Sequence, residues 1–173
     1  MMDDATAVRA CRAGDVDAFR HLVDRYQGRA LAHARILTRN EADAADATQE
    51  AFVDAFRNLT AFDPTRPFYA WFYVLLRNRS FKQRSRRGTR SESGMASAPP
   101  PQVGPGVSEE RLDLWRAIGR LAPDDGELIV LKHIEGWTYE ELSSALGVPR
   151  GTVMSRLYGA RQRLLAMLSG EQS

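Results

Sequence analysis

The chain has 173 residues, 43% of them hydrophobic and 27% charged, which is the composition of an ordinary folded protein. Its formal net charge of +2 is too small to indicate a nucleic-acid partner, so the distribution of charge matters more than the sum. The single cysteine, Cys11, excludes an intrachain disulfide and a multi-cysteine zinc site. The N-terminus is polar and acidic, and the longest apolar run, 68–76, is short, so we expect no signal peptide, no membrane insertion and a cytoplasmic location.

The apolar residues recur at helical spacing, whereas the alternating pattern of strands is scarce, and this predicts an all-α fold. Residues 88–108 are rich in proline, glycine and serine, which is typical of a flexible linker. The linker divides the chain into two small helical domains, residues 1–87 and residues 109–173. Each domain is small enough to need tight helix packing or a partner.

Residues 41–59 predict a helix with one apolar and one acidic face. The predicted core face holds Thr48, Ala51, Phe52, Ala55, Phe56 and Leu59, and the opposite face holds Asp43, Asp46, Glu50 and Asp54. The carboxylates fit a solvated surface, a divalent metal site or a docking surface for a basic partner. A metal site usually takes ligands from more than one element, and no second acidic cluster of comparable density is present. We therefore prefer docking to metal binding.

Residues 68–85 predict a helix that is both aromatic and basic. One stripe, expected in the core, holds Phe68, Trp71, Phe72, Leu75 and Leu76, and a second stripe, expected to be exposed, holds Tyr69, Tyr73, Arg77, Ser80 and Arg84. No carboxylate occurs between Arg66 and Arg90. Exposed rings stack on unpaired bases while arginines contact phosphates, so this stripe predicts binding of single-stranded nucleic acid. The alternative is an aromatic core beside arginines that only solvate the surface.

Residues 138–170 predict a helix-turn-helix. Thr138 and Glu141 form a capping box, Gly147 suits the tight turn, and Pro149 starts the second helix. Leu142, Leu146, Val148, Val153 and Leu157 have the spacing of its buried positions. The second helix would then expose Arg150, Thr152, Ser155, Arg156, Tyr158 and Arg161, as expected of a recognition helix in the major groove. A plain helical hairpin with basic ends is the alternative.

Two stretches resemble the extracytoplasmic-function (ECF) RNA polymerase sigma factors of the sigma-70 family. DATQEAFVDAFRNLTAF followed by FYAWFYVLLRN is similar to sigma region 2, and LAPDDGELIVLKHIEGWTYEELSSALGVPRGTVMSRLYGARQRL is similar to sigma region 4. The resemblance implies promoter-specific transcription initiation with RNA polymerase core and promoter DNA as partners. It implies that the acidic face of region 2 docks on the clamp helices of the largest polymerase subunit, and that region 4 contacts the flap of the second-largest. It also implies an anti-sigma factor.

The resemblance further assigns DNA contacts. It implies that the melted −10 strand is captured by Asp63, Thr65, Arg66, Phe68, Tyr69, Tyr73, Arg77, Asn78, Ser80 and Arg84. It implies that the −35 duplex is read by Arg150, Thr152, Met154, Ser155, Arg156, Tyr158 and Arg161. Met154 stands where relatives place lysine or arginine, and Gly159 where a second base-facing arginine can occur, so the −35 sequence is not transferable from relatives.

Two other classes of function were weighed. A stand-alone helix-turn-helix regulator would need a dimerising element to read two half-sites, and the sequence has no heptad run. An enzyme would need a paired nucleophile and base, a phosphate loop or a metal cluster, and none is evident. We therefore expect no catalytic activity, no cofactor, no bound metal and no need for a homo-oligomer.

Overall fold

A computed structural model describes residues 2–88 and 108–170, and the regular elements of these two ranges are all helical. The helices are α1 (Asp4–Arg12), α2 (Phe19–Thr38), α3 (Glu41–Arg57), α4 (Phe68–Gly88), α5 (Glu109–Arg120), α6 (Pro123–Ile129), α7 (Tyr139–Leu146) and α8 (Arg150–Gly170). Short 3₁₀ turns span Val16–Ala18 and Leu59–Ala61, and a π-helical segment, Val130–Ile134, continues α6. The all-α prediction is confirmed. None of the described helices has the length and apolar content needed to cross a lipid bilayer.

The N-terminal domain is a bundle in which α2, α3 and α4 pack on one another, with α1 closing one end. Helix α3 starts where the side chain of Asn40 accepts a hydrogen bond from the amide of Asp43, and it ends at Arg57, two residues before the predicted end. It presents fully buried alanines at 44, 47, 51 and 55 to the bundle. These small side chains let the neighbouring helices approach closely, and Phe52 stacks on Phe72 of α4 with ring centroids 4.4 Å apart.

The C-terminal domain contains the predicted helix-turn-helix, formed by α7 and α8. The Thr138–Glu141 capping box is present with both of its hydrogen bonds, and Gly147 ends α7 at a φ of 65°. That backbone conformation favours glycine, which explains the position of the turn. Leu142, Val153 and Leu157 are buried, whereas Leu146 and Val148 pack on the core half-exposed.

The two domains pack against each other. Helix α6 lies on α2, and α7 lies on α4. A Cβ atom built on Gly126 would lie 3.3 Å from Cγ2 of Ile36, so glycine suits the tight contact between these helices, and a small side chain would require Ile36 to shift slightly. Sequence analysis predicted no such contact, because linker composition does not show whether the flanking domains touch. Most of the predicted linker, residues 89–107, lies outside the described residues.

Candidate nucleic-acid and polymerase interfaces

The face of α4 that carries Tyr69, Tyr73 and Ser80 is covered. The exposed fractions of these residues are 4%, 1% and 0%. The prediction that this stripe is exposed is therefore wrong for the arrangement seen here. The reason is tertiary: Trp137 of the C-terminal domain meets Tyr73 edge-on at 5.3 Å between ring centroids, and Tyr69 lies against Tyr26, Arg29 and His33 of α2. A helical wheel of α4 cannot distinguish a face exposed to solvent from a face covered by a second domain.

Glu127 of α6 holds this cover in place. Its Oε1 accepts a hydrogen bond from the Tyr73 hydroxyl at 2.7 Å and another from Nε of Arg77 at 2.7 Å. The Glu127 side chain is 2% exposed, and its burial raises the pKa of the carboxyl despite the opposing effects of Arg77 and Tyr73. Burial and the Glu127 charge together raise the pKa of Tyr73, so the phenol stays protonated and donates. A carboxylate of the C-terminal domain thus binds two residues predicted to contact DNA.

A second polar network crosses the same boundary. Nδ1 of His33 lies 2.7 Å from the Tyr69 hydroxyl, and Nε2 of His33 faces Oε1 of Glu135 at 3.4 Å. Arg29 pairs with Glu135 and lies over the Tyr69 ring, 3.7 Å from its centroid. Burial lowers the pKa of His33. A neutral imidazole that accepts a hydrogen bond at Nδ1 and carries its proton at Nε2 satisfies both Tyr69 and Glu135. His33 therefore needs no charge to bond both of its neighbours.

The loop before α4 is preorganised. Oδ1 of Asp63 accepts from the amide of Thr65 at 2.9 Å and from its hydroxyl at 2.7 Å, and these bonds lower the pKa of Asp63. From the other side, the guanidinium of Arg12 donates to the carbonyls of Leu59, Thr60 and Phe62. The loop therefore presents exposed Thr65 and Arg66 side chains on a fixed backbone. Sequence reasoning missed Arg12, because nothing in the local pattern links α1 to residues nearly fifty positions later.

The remaining predicted −10 residues differ in accessibility. Phe68 is 0% exposed and packs on Tyr26, Phe62 and Phe72 of its own domain, so its assignment to a DNA contact is corrected to support of the loop. Asn78 is exposed, as predicted for a residue that meets an extruded base. Arg84 is half-exposed and lies over Phe81, 4.8 Å from the ring centroid.

The acidic face of α3 is largely neutralised from within the domain. Arg79 of α4 pairs with both Asp54 and Glu50, and Arg87 reaches Asp43 at 3.4 Å. Sequence analysis treated the four carboxylates as one free surface, and the structure corrects this: among them only Asp46 is exposed and outside these pairs. Within residues 2–88 and 108–170, no group of three or more histidine, cysteine or acidic side chains is placed to hold a metal ion.

An apolar groove runs beside Asp46. It has a volume of about 980 Å³ and lies between α2 and α3, lined by Phe19, Val23, Leu31, Phe52, Val53 and Phe56 among others. Val53 and Phe56 are 41% and 40% exposed, so the prediction that Phe56 belongs to the core is wrong. Sequence reasoning also missed Val53. Its signal was available, because Val53 falls next to Asp46 on the helical wheel, at the edge of the acidic side, where an apolar residue has no core to fill.

Helix α8 exposes most of the predicted recognition surface. Met154 and Tyr158 are 47% and 64% exposed, and Ser155 and Arg156 are exposed beside them, whereas Thr152 is half-exposed. Two arginines have protein partners: Arg150 pairs with Glu140 at 2.9 Å, and Nε of Arg161 donates to Nε2 of His133 at 2.9 Å. In the same structure, therefore, the α4 face is covered by protein while the α8 face is exposed to solvent.

Comparison with protein-family models and with known relatives identifies the family. The model for sigma-70 region 2 matches residues 22–90, and the model for sigma-70 region 4 matches residues 111–164. The chain is 32% identical over 183 residues to the ECF RNA polymerase sigma-E factor of Escherichia coli, covering 94% of this chain and 93% of that protein. It is 30% identical over 180 residues to the sigma-E factor of Haemophilus influenzae, covering 94% of each.

Solved structures agree with these relatives. The complex of CnrH with the cytosolic domain of CnrY matches with a TM-score of 0.69 and 29% identity, covering 96% of this chain and 97% of that one. The sigma factor RpoE of Bartonella quintana, solved with the anti-sigma factor NepR, matches with a TM-score of 0.73 and 26% identity, covering 87% and 96%. The chain therefore belongs to the ECF RNA polymerase sigma factors of the sigma-70 family, which are non-enzymatic factors for promoter-specific transcription initiation.

Proposed function

We propose that the two domains divide promoter recognition, with α8 reading the −35 duplex and α4 with its preceding loop holding the melted −10 strand. The observation that carries this proposal is the pairing, in one chain, of an exposed recognition helix with an aromatic, arginine-bearing helix. The first suits a major groove, and the second suits unpaired bases. A stand-alone regulator of duplex DNA would have no use for the second surface.

On α8, the exposed tip of the helix supports base reading by Met154, Ser155 and Tyr158. Met154 offers an apolar contact of the kind that fits a thymine methyl group. Arg150, Arg156 and Arg161 supply cations for phosphates, with Thr152 at the edge of the surface.

On the −10 side, exposed Thr65, Arg66 and Asn78 frame a place for a base that has left the stack, and the Asp63 turn fixes the backbone there. Tyr73 and Arg77 become accessible only after α6 and Trp137 have moved away, and Tyr69 and Ser80 lie on the same face of α4. Capture of the −10 strand therefore requires the two domains to separate from the arrangement described above.

Polymerase docking is assigned to the open side of the N-terminal domain. Asp46, Val53 and Phe56 form an acidic and apolar surface next to the groove, which suits amphipathic, basic clamp helices of the largest subunit. The paired carboxylates Asp43, Glu50 and Asp54 contribute to the electrostatic potential around this surface.

The C-terminal domain contacts the flap of the second-largest subunit, and an anti-sigma factor would stabilise the closed arrangement. The factor acts in the cytoplasm with the polymerase.

Transcription by purified core polymerase tests the proposal. Core alone and core with the chain are compared on a template library randomised at the −10 and −35 elements. We expect specific transcripts only with the chain, with selected sequences at both elements. Binding of duplex library members without any association with core polymerase would favour the stand-alone regulator.

A further inference from the structure

The junction between α2 and α3 carries an arginine in an unfavourable conformation. Arg39 has a φ of 54°, and it is the one non-glycine residue with positive φ among the residues that the structure describes. It ends α2 in the left-handed conformation, where glycine or asparagine is the usual choice. A side chain with a Cβ atom costs stability at such a position, so the presence of arginine needs a reason.

The side chain of Arg39 adds to this cost instead of offsetting it. Its Nε atom is buried and has no hydrogen-bond partner. The contrast with Arg35, one turn earlier on α2, is direct: Arg35 makes two hydrogen bonds to Glu41, at 2.7 and 2.5 Å. No carboxylate of the described ranges plays that role for Arg39.

The charge that acts on Arg39 is that of another cation. Arg84 of α4 lowers the pKa of Arg39 electrostatically, in addition to the larger effect of burial. Arg84 has no carboxylate partner among the described residues either, and it contacts the ring of Phe81. Two guanidinium groups that repel each other become favourable when an anion lies between them. Arg84 also continues the stripe of Arg77 and Ser80, so the pair extends the candidate −10 surface.

We propose that Arg39 and Arg84 together bind a backbone phosphate of promoter DNA, which extends the DNA surface from α4 onto the end of α2. The proposal rests on the proposed function of α4. A phosphate fits better than a base edge, because guanidinium groups match its oxygens in a bidentate manner and tolerate any sequence. The arginine at a strained backbone position and the repulsive pair then have one common explanation.

The test uses the assembled holoenzyme on one promoter, with the dissociation constant measured across a range of KCl concentrations. The variants are Arg39→Gly, which relieves the backbone conformation and removes the charge, and Arg39→Lys, which keeps the charge. Arg9→Gln, which removes an exposed cation of α1, is the control. We expect Arg39→Gly to weaken promoter binding and to flatten the salt dependence by roughly 0.7 to 0.9 in log–log slope, as for one lost phosphate contact. Its melting temperature should be unchanged or higher, and the other two variants should keep the wild-type slope.

An unchanged slope for Arg39→Gly would show that Arg39 only ends a helix and would overturn the proposal. Thermal stabilisation of the free chain by inorganic phosphate, lost in Arg39→Gly without any change in promoter affinity, would assign the pair to a free anion and would also overturn it. Failure of the wild-type holoenzyme to form a promoter complex would instead contradict the proposed function, and this inference with it.

Discussion

The two faces of the N-terminal domain differ in what covers them. On α4, Tyr73 is 1% exposed because Trp137 and Glu127 of the C-terminal domain lie on it, whereas on α3, Val53 and Phe56 are 41% and 40% exposed beside an open groove. The groove is lined entirely by residues 16–56, away from the contact with α6. The closed chain therefore leaves open the side that we propose for polymerase docking while it covers part of the side that we propose for the −10 strand.

The contact that closes the α4 face is poised to open. Glu127 holds Tyr73 and Arg77 by charge-assisted hydrogen bonds, but its burial raises the pKa of its carboxyl, which shows that desolvation opposes the pairing. Buried ion pairs of this kind add little net stability, yet removing one partner is costly. In the function proposed above, DNA offers Arg77 a phosphate and Tyr73 a base, so it would replace Glu127 without leaving either group unsatisfied.

The largest effect is expected on the open face. Replacing Val53 and Phe56 together by serine should weaken binding to a clamp-helix fragment of polymerase by roughly 10- to 100-fold, as for the loss of two central apolar contacts. Fluorescence anisotropy with the labelled fragment measures this. Leu165→Ser removes an even more exposed apolar side chain from α8 and should leave the affinity unchanged. A double variant that binds the fragment normally would move the docking surface elsewhere.

On the covered face, Glu127→Ala should raise the affinity of the free chain for a single-stranded −10 oligonucleotide by about tenfold. The acceptor of the hydrogen bonds from Tyr73 and Arg77 is lost, so the open form becomes more populated and the free-energy cost of opening falls. Affinity for the clamp-helix fragment should not change. Glu110→Ala removes an exposed carboxylate of α5 and serves as the matched control. Equal oligonucleotide affinities for Glu127→Ala and wild type would show that Glu127 does not restrain opening.

Acidification should also loosen the covered face, through His33. Its surroundings are Arg29, Tyr69 and Tyr73 from its own domain and Glu135 from the other. Burial lowers the pKa of His33 in the closed form and outweighs the opposing effect of Glu135. Where opening lets water reach the imidazole, the contribution of His33 to closure is complete above its ordinary pKa of 6.5 and is lost as pH falls below that value. The raised pKa of Glu127 acts in the opposite sense, since its protonation at low pH favours closure.

Comparison of wild type with His33→Gln isolates the histidine. Between pH 7.5 and pH 5.5, oligonucleotide affinity should rise more in wild type than in the variant, because only wild type carries the histidine whose pKa burial lowers. Parallel pH profiles would exclude His33 from the closing contact.

The smallest effect concerns α8. Arg161→Ala should weaken binding to all −35 duplexes by a similar factor and flatten the salt dependence by about one phosphate contact. The loss is moderated because Arg161 already bonds His133 in the free chain and must give up that bond to meet DNA. Selection from a randomised −35 library should return the wild-type preference, and a shifted preference would make Arg161 a base-reading residue.

Local patterns in the sequence predicted the helices, the capping box at Thr138, the turn at Gly147 and the buried positions of the helix-turn-helix. These features depend on neighbours within a few residues. Prediction failed where a distant partner decides the environment: Tyr73 lies under Glu127, 54 residues away, and Asp54 is paired by Arg79, 25 residues away. The sequence did not predict the roles of Arg12, Glu127 and Arg39 for the same reason. Each acts on a different element of the fold, and the periodicity of one element does not show its partners in another.

A disulfide between the two domains tests the central claim most directly. Gly126 and Ile36 adjoin at the contact between α6 and α2, so Gly126→Cys with Ile36→Cys, in a chain with Cys11→Ser, should lock the closed form on oxidation. Binding of a −10 oligonucleotide and of the clamp-helix fragment is then measured before and after reduction of the same sample. The account predicts that the oxidised chain binds the fragment normally and the oligonucleotide at least tenfold more weakly, with recovery on reduction. Equal oligonucleotide binding by the oxidised and reduced forms would contradict it.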